Sequence, residues 1–258
     1  MKPWIDLTGQ IALVTGAGAG IGRATARGLA ELGATVVLLD RDGEAAQAAA
    51  QAIRSEGGAA ESRALDVTKA EEWDVLAQWV ADRWGRLDIL VNSAGVARFD
   101  RVDEAMFDNY REVFDVNVEG SLLGMTTALK FMRAAGTGAV VNVSSGAALK
   151  GNPGMANYGA SKAAIAHFTR SAALELVRAG LDVRVNAVLP GFTDTAMAQA
   201  VHDRFDDKLG GHDATLKVFS SGRAAEPEEI ANMIVFLASG RASFVSGSVI
   251  VVDRAQSA

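Results

Sequence analysis

Seven short apolar runs recur along the chain, separated by longer segments in which apolar residues return every three or four positions. The runs are 11–15 (IALVT), 35–40 (TVVLLD), 62–67 (SRALDV), 87–92 (LDILVN), 139–145 (AVVNVSS), 182–190 (DVRVNAVLP) and 248–253 (SVIVVD). They are rich in Val, Ile and Leu and do not alternate strictly with polar residues. That is the pattern of parallel strands buried on both faces, not of a sheet with one wet side. The segments between them, 20–32, 42–56, 69–84, 103–134, 156–179 and 227–238, have helical length. Strand and helix in regular alternation predict βαβ units and a doubly wound, seven-stranded parallel sheet flanked by helices.

Punctuation residues agree with this division. Asp42 is placed to cap the second helix and Gly57-Gly58 to end it; Thr68 is placed to cap the third and Gly85 to close it. No linker, fixed-period repeat or low-complexity tract interrupts the pattern, so residues 1–258 read as one domain. The longest irregular stretch runs from Gly191 to about Arg223. It follows the sixth strand and therefore leaves the carboxyl edge of the sheet, where open α/β sheets bind ligands. A loop of this length in a compact domain is usually functional, and we read it as a substrate lid.

Composition narrows the function classes. With 49% hydrophobic and 22% charged residues the chain can bury a substantial core. A formal net charge of −6 argues against nucleic acid and anionic membrane as partners. The absence of cysteine excludes disulfides, thiolate catalysis and cysteine-bound metal. The three histidines, His167, His202 and His212, lack ligand spacing, so no metal is expected. No run approaches the length of a membrane span, and the first residues lack a signal-peptide core; a cytoplasmic protein is expected.

Candidate chemistry begins at TGAGAGIG, Thr15 to Gly22, between the first strand and the first helix. Glycines let a backbone approach a pyrophosphate closely, and the free N–H groups at a helix N-terminus attract its charge. Asp40 lies 18 residues beyond Gly22 at the end of the second strand, where an acid would accept hydrogen bonds from a ribose. Arg41 follows at once and would instead welcome a 2′-phosphate. Because Asp42 is better placed to cap the helix, Asp40 is expected to be free for the ribose. The acid is taken to prevail, and the cofactor is expected to be NAD.

The second concentration is NYGASK. Tyr158, one of only two tyrosines, has Lys162 four residues later on a predicted helix, so both side chains share a face. A phenol ordinarily titrates near pH 10. An ammonium about 4 Å away, at an effective dielectric of about 20, would contribute roughly 4 kcal/mol, about three pKa units. That shift would bring the tyrosine into the working range of a general acid–base. Ser145 ends the fifth predicted strand 13 residues earlier and can reach the phenol, while its neighbour Ser144 would face the other way. Tyr110, with Phe114 at i+4, reads as a helix-packing residue.

With these motifs in order, the sequence resembles the short-chain dehydrogenase/reductase family, a Rossmann fold. It carries the family's Thr-Gly-x-x-x-Gly-Ile-Gly turn (Thr15, Gly16, Gly20, Ile21, Gly22), a modified Asn-Asn-Ala-Gly segment (Asn92-Ser93-Ala94-Gly95), Asn117, Ser145 and the Tyr158/Lys162 pair. LPGFTDT, Leu189 to Thr195, resembles the segment that holds the nicotinamide carboxamide. The resemblance covers about residues 9–253. It implies Tyr158 as the acid–base, Lys162 lowering its pKa and binding the nicotinamide ribose, Ser145 on the substrate oxygen, and Asn117 anchoring a water that relays the proton. It further implies cofactor contacts from Asp66 and Val67 at the adenine end, from Asn92 along the ribose, and from Pro190, Thr193 and Thr195 at the carboxamide. The family's Val-Asp-Gly-Gly near the end reads Val252-Asp253-Arg254-Ala255 here; losing both glycines is expected to forbid the same turn if it needs positive φ.

The implied activity is hydride transfer between NAD(H) and a secondary alcohol or ketone of a small molecule, such as a polyol, a sugar or a related hydroxy compound. GNPGMANYGASKAAI, Gly151 to Ile165, resembles equally the family's 3-oxoacyl-thioester reductases, the alternative. A non-catalytic NAD-binding regulator stands as a third reading. Gly146, Met155, Phe192 and Met197 are expected to line the substrate pocket with Ser145 and Tyr158. A homotetramer built on the helices at 103–134 and 156–179 is also implied.

Overall fold

The computed structural model describes residues 4–99, 101–103, 107–199 and 222–258. The lid residues 200–221, with His202 and His212, lie outside them. The chain alternates β1 (Ile11–Thr15), α1 (Gly20–Glu31), β2 (Thr35–Asp40), α2 (Gly43–Ser55), β3 (Ala59–Ala64), α3 (Ala70–Trp84) and β4 (Ile89–Asn92). It continues through α4 (Phe107–Phe114), α5 (Gly120–Ala135), β5 (Thr137–Val143), α6 (Ala156–Arg178), β6 (Asp182–Pro190), α7 (Pro227–Ala238) and β7 (Val249–Val252). All seven strands pair in parallel in the order β3-β2-β1-β4-β5-β6-β7. The order reverses between β1 and β4, and the crevice outside the carboxyl ends of those strands is where such sheets receive ligands.

The pleat divides the core. Val36 and Leu38 pack on the α1, α2 and α7 side, with Leu29, Ile53, Ile230 and Ile234. Val37 and Leu39 turn the other way, toward Trp73 and Leu76 of α3, Met132 of α5 and Leu176 of α6. The central strands are therefore buried on both faces, which is why their apolar residues do not alternate strictly with polar ones. Buried Arg184 of β6 fastens α7 to the sheet: its guanidinium donates to the carbonyls of Leu237, Ala238, Ser239 and Ala242 at distances from 2.6 to 3.3 Å. A cation at a helix C-terminus opposes the negative end of the helix dipole.

Several elements depart from expectation. β3 spans 59–64, not 62–67. It is an edge strand with half-buried polar residues, and the apolar signal came from Leu65 and Val67, which are buried just beyond its end. Lys69 rather than Thr68 precedes α3; Thr68 hydrogen-bonds Asp66 instead, and its side chain does not cap the helix. Asp42 does cap α2, accepting from the N–H groups of Glu44 and Ala45.

The single helix expected over 103–134 is divided. A π-helical turn, Asp115–Glu119, separates α4 from α5, with the Gly120 N–H bonded to the Asp115 carbonyl. Asn117 lies in that turn, and its side chain reaches a neighbouring loop, described below. β5 ends at Val143, two residues before Ser145, which heads a short 3₁₀ turn, Gly146–Ala148.

The C-terminal expectation is also overturned. Arg254 and Ala255 adopt φ of 47° and 64°, so the turn forms without glycine. Each left-handed residue bearing a Cβ costs roughly 1–2 kcal/mol.

Candidate active site

One cavity of about 610 Å³ follows the carboxyl edge of the sheet from β2 to β7. Its first part is the turn after β1. Gly16 has φ of 63°, and a Cβ there would stand 2.8 Å from the Ala94 Cα; a Cβ on Gly22 would stand 2.2 Å from the Gly16 carbonyl oxygen. Only glycine lets this turn close so tightly and lie against the Ser93–Gly95 segment. Ala19 precedes α1 without a side-chain cap, and the first turn carries no acid, leaving N–H groups and a positive helix end toward the cavity. Gly16, Gly20, Ile21 and Gly22 all line it. This cradle fits a dinucleotide's pyrophosphate.

Asp40 and Arg41 line the same end. Contrary to the expectation that it is free, the Asp40 carboxylate also organises the turn. One oxygen accepts from the Gly18 N–H at 2.9 Å and the other from the Asp42 N–H at 3.0 Å. Two such bonds fix the acid in place and leave it facing the cavity. Asp66 and Val67 form the adjoining wall. Burial pushes the Asp66 carboxyl up, but hydrogen bonds from Thr68, with the charges of Lys69 and Arg41, bring it below its ordinary value. Arg41 thus has an acidic neighbour at this end.

The middle of the cavity is built by three buried polar groups. Thr15 Oγ1 accepts from the N–H groups of Ser93 and Ala94 at 3.0 and 3.1 Å, drawing the loop after β4 across the crevice. Asn117, fully buried, accepts from the Val96 N–H at 2.8 Å and donates to the Val96 carbonyl at 3.0 Å. It also donates to Ser161 Oγ at 3.0 Å, and Ser161 in turn donates to the Tyr158 carbonyl at 2.7 Å. Asn117 therefore stands behind the cavity wall and ties the Val96 loop to the first turn of α6.

Asn92 does not take the position expected of it. Its side chain points into the core, donating to Asn142 Oδ1 at 2.9 Å and to the Ser121 carbonyl at 3.1 Å, and it is not among the cavity-lining residues. It is the last residue of β4, and the pleat sends its side chain to the α5 face while the loop after it passes over the cavity.

Ser145, Tyr158 and Lys162 share one wall. Ser144, which borders the same cavity, donates to the Lys162 carbonyl at 2.7 Å, holding α6 against the end of β5. Lys162 Nζ donates to the Val143 carbonyl at 3.0 Å and lies 5.7 Å from the Tyr158 ring centroid. A Cβ on Gly95 would stand 3.2 Å from both Lys162 Nζ and Asn117 Oδ1, so the three groups converge on that glycine.

The electrostatics correct the sequence-based estimate. Burial pushes the Tyr158 phenol up, and a hydrogen bond with Ser145 opposes the rise without overcoming it. Burial also pushes Lys162 down to about 8. The ammonium bonds a carbonyl rather than the phenol, and both groups bear a desolvation cost that the sequence could not reveal. At neutral pH Lys162 still keeps its proton.

The far part of the cavity is bounded by Gly146, Met155, Pro190, Phe192, Thr193, Thr195 and Met197. Thr193 Oγ1 donates to the Gly191 carbonyl at 3.0 Å, and Thr195 Oγ1 accepts from the Ala198 N–H at 3.2 Å. Sequence reasoning missed Lys150 and Asn152, which follow the 3₁₀ turn, and Asp253, Gln256 and Ser257 at the C-terminus. A signal existed for the last group: Asp253 follows β7, and β7 neighbours β6 at the same edge of the sheet. Among the described residues no cluster of His, Asp or Glu could hold a metal ion, and no helix is long and apolar enough to cross a membrane.

Comparison with known proteins agrees with this geometry. The family model for short chain dehydrogenases matches residues 10–205. A 3-oxoacyl-[acyl-carrier-protein] reductase of Thermotoga maritima is 35% identical over 247 residues, covering 96% of this chain and 97% of that protein. A cyclopentanol dehydrogenase of a Comamonas species is 38% identical over 244 residues, covering 95% of each. Among solved structures, levodione reductase superposes with a TM-score of 0.91 at 30% identity, covering 97% of this chain and 98% of the other.

Proposed function

The chain belongs to the short-chain dehydrogenase family, and on that premise we propose that it interconverts a small secondary alcohol and its ketone with NAD(H). One observation carries the reading. Ser145, Tyr158 and Lys162 share a wall of the same cavity whose other end is the glycine cradle and Asp40. NAD⁺, when bound, supplies the hydride acceptor for the alcohol carbon. Everything else is the work of this chain's side chains.

Ser145 donates a hydrogen bond to the substrate oxygen and aims it at the phenol. Tyr158 Oη takes the alcohol proton in oxidation and returns it to the carbonyl in reduction. Lys162, protonated at neutral pH, places beside Tyr158 the cation that stabilises the phenolate needed to accept that proton, and would bind the nicotinamide ribose. In a buried site this charge acts more strongly than it would in water. Asn117 fixes the loop and the helix turn that hold these groups in register and anchors the water through which the proton leaves. Pro190, Thr193 and Thr195 hold the carboxamide.

Asp40 supports the choice of NAD over NADP. Its carboxylate is held on the cavity wall by two N–H groups, where it accepts from a ribose hydroxyl and repels a 2′-phosphate. Arg41, the residue that would favour the phosphate, has Asp66 beside it.

The substrate is a compact hydroxy compound: a polyol, a sugar or a cyclic alcohol, the last supported by the likeness to a cyclopentanol dehydrogenase. The likeness to a 3-oxoacyl-[acyl-carrier-protein] reductase favours a second reading, reduction of a 3-oxoacyl thioester. A panel of cyclopentanol, polyols, sugars and hydroxy acids with NAD⁺, beside acetoacetyl-CoA with NADH and NADPH, separates the two by the absorbance of the reduced nicotinamide. Turnover of the thioester alone overturns the first reading. NADH binding with no turnover of any compound overturns both and leaves a binding protein. The assembly is taken to be a homotetramer; light scattering at the monomer mass would refute that part.

A further inference from the structure

The chain does not leave the sheet after β7. Arg254 and Ala255 reverse it through their two left-handed conformations, and the last residues lie along the end of the cavity. Strained backbone of this kind persists where neighbouring contacts over-determine it, and it gathers at functional sites and ligand clamps. The contacts here are specific. The Gly191 N–H donates to the Val252 carbonyl at 2.9 Å, and Asp253 Oδ2 accepts from Ser257 N–H and Oγ at 2.8 and 2.6 Å.

Gln256 then makes two further links with two different atoms. Its side-chain Oε1 accepts from the Phe192 N–H at 2.8 Å, in the loop after β6. Its main-chain carbonyl accepts from Lys150 Nζ at 2.7 Å, in the loop after β5. The fit at Gly191 is close: a Cβ there would stand 2.5 Å from Gln256 Oε1 and 2.7 Å from the Asp253 Cβ. Strands β5, β6 and β7 are consecutive in the sheet, so these groups lie on the Ser145 side, at the opposite end from Asp40 on β2.

We propose that Asp253–Ser257 is a clasp that sets the substrate end of the cavity, with Gln256 as the positioning residue that joins the Phe192 and Lys150 loops. The inference rests on the oxidoreductase reading above and deepens it: the wall beside the reacting oxygen is held from the C-terminus. Phe192 is also held from the other side, because its carbonyl accepts from the Ala225 N–H at 2.9 Å. Loss of the Gln256 link therefore loosens the amide side of Phe192 while leaving Ser145, Tyr158 and the Thr193 anchor in place.

The test compares Gln256→Ala with Gln256→Glu, which keeps an acceptor at the same position. With cyclopentanol as probe, Gln256→Ala should raise KM about three- to tenfold, the range one hydrogen bond carries. Its kcat and its NADH affinity should stay within about twofold, and Gln256→Glu should restore most of the KM. Amide hydrogen exchange at Phe192 should quicken in Gln256→Ala and not in Gln256→Glu. Lys150→Met, which removes the other link, should raise KM in the same direction and serves if Gln256→Ala fails to fold. An unchanged KM in the variants overturns the clasp. If the wild type turns over no alcohol or ketone at all, the oxidoreductase reading has failed instead; unchanged Phe192 exchange would then overturn the clasp separately, and quickened exchange would support it.

Discussion

Replacing Lys162 by Met should flatten the rise of stability with pH that is expected of the wild-type protein between pH 7 and 9.5. Burial holds this lysine at about 8 in the folded protein, against an ordinary value of 10.5. Between those values the folded state binds fewer protons than the unfolded chain, so stability rises with pH across the window. Below pH 8 the cost of keeping the buried ammonium charged is fully present, about 3 kcal/mol for a shift of this size. Roughly 2 kcal/mol of it is relieved by pH 9.5. The variant also leaves the Val143 carbonyl without its donor, a loss of about 1–3 kcal/mol that does not depend on pH. The decisive quantity is therefore the change in the wild-type-minus-variant difference, not its value at one pH. Tyr158 does not intrude, because its folded value is raised; it lowers stability only above about pH 10. Urea titrations of both proteins at matched concentration, every half unit across the window, would measure the difference. Parallel curves would show that Lys162 is not desolvated in the folded protein, and the account of its charge beside the phenol would fall with it.

Other consequences are more direct. Tyr158→Phe should abolish turnover while leaving NADH affinity within about threefold, measured by fluorescence titration; retained turnover would sink the acid–base role. Asp40→Ala should weaken NADH binding about tenfold and narrow the preference over NADPH, since it removes both the ribose acceptor and the acceptor for the Gly18 N–H. A wild-type protein that prefers NADPH would refute the ribose argument outright. Arg184→Met should destabilise the fold by about 3–5 kcal/mol with little change in the cofactor preference of the protein that remains folded, because four carbonyls around the end of α7 lose their donor. Denaturation midpoints within experimental error of wild type would show that the carbonyls find other partners.

The sequence by itself determined the layered fold and much of the site. Strands covered on both faces are predominantly apolar, so their runs stand out in any reading, and Asp182–Pro190 is recovered residue for residue. Tyr158 and Lys162 are fixed relative to each other by helical spacing, and the glycines of the turn by the space their backbone needs. These are local constraints, and a local pattern carries them. Tertiary structure decided what depends on neighbours distant in the chain. β3 is shifted because an edge strand carries a weaker apolar signal than the buried residues after it. The π turn that carries Asn117, and the Asn92 side chain turned toward Asn142, depend on contacts that no spacing announces. The phenol and ammonium were read as if in an average medium, whereas burial moves both, and burial is a property of the whole fold. The C-terminus shows the same division most plainly. Arg254 and Ala255 argue locally against a left-handed turn, yet the bonds that Gln256 makes to the cavity loops, and the one that Ser257 donates to Asp253, hold them in it. Local preference is worth about a kilocalorie or two per residue, and several tertiary contacts together exceed it.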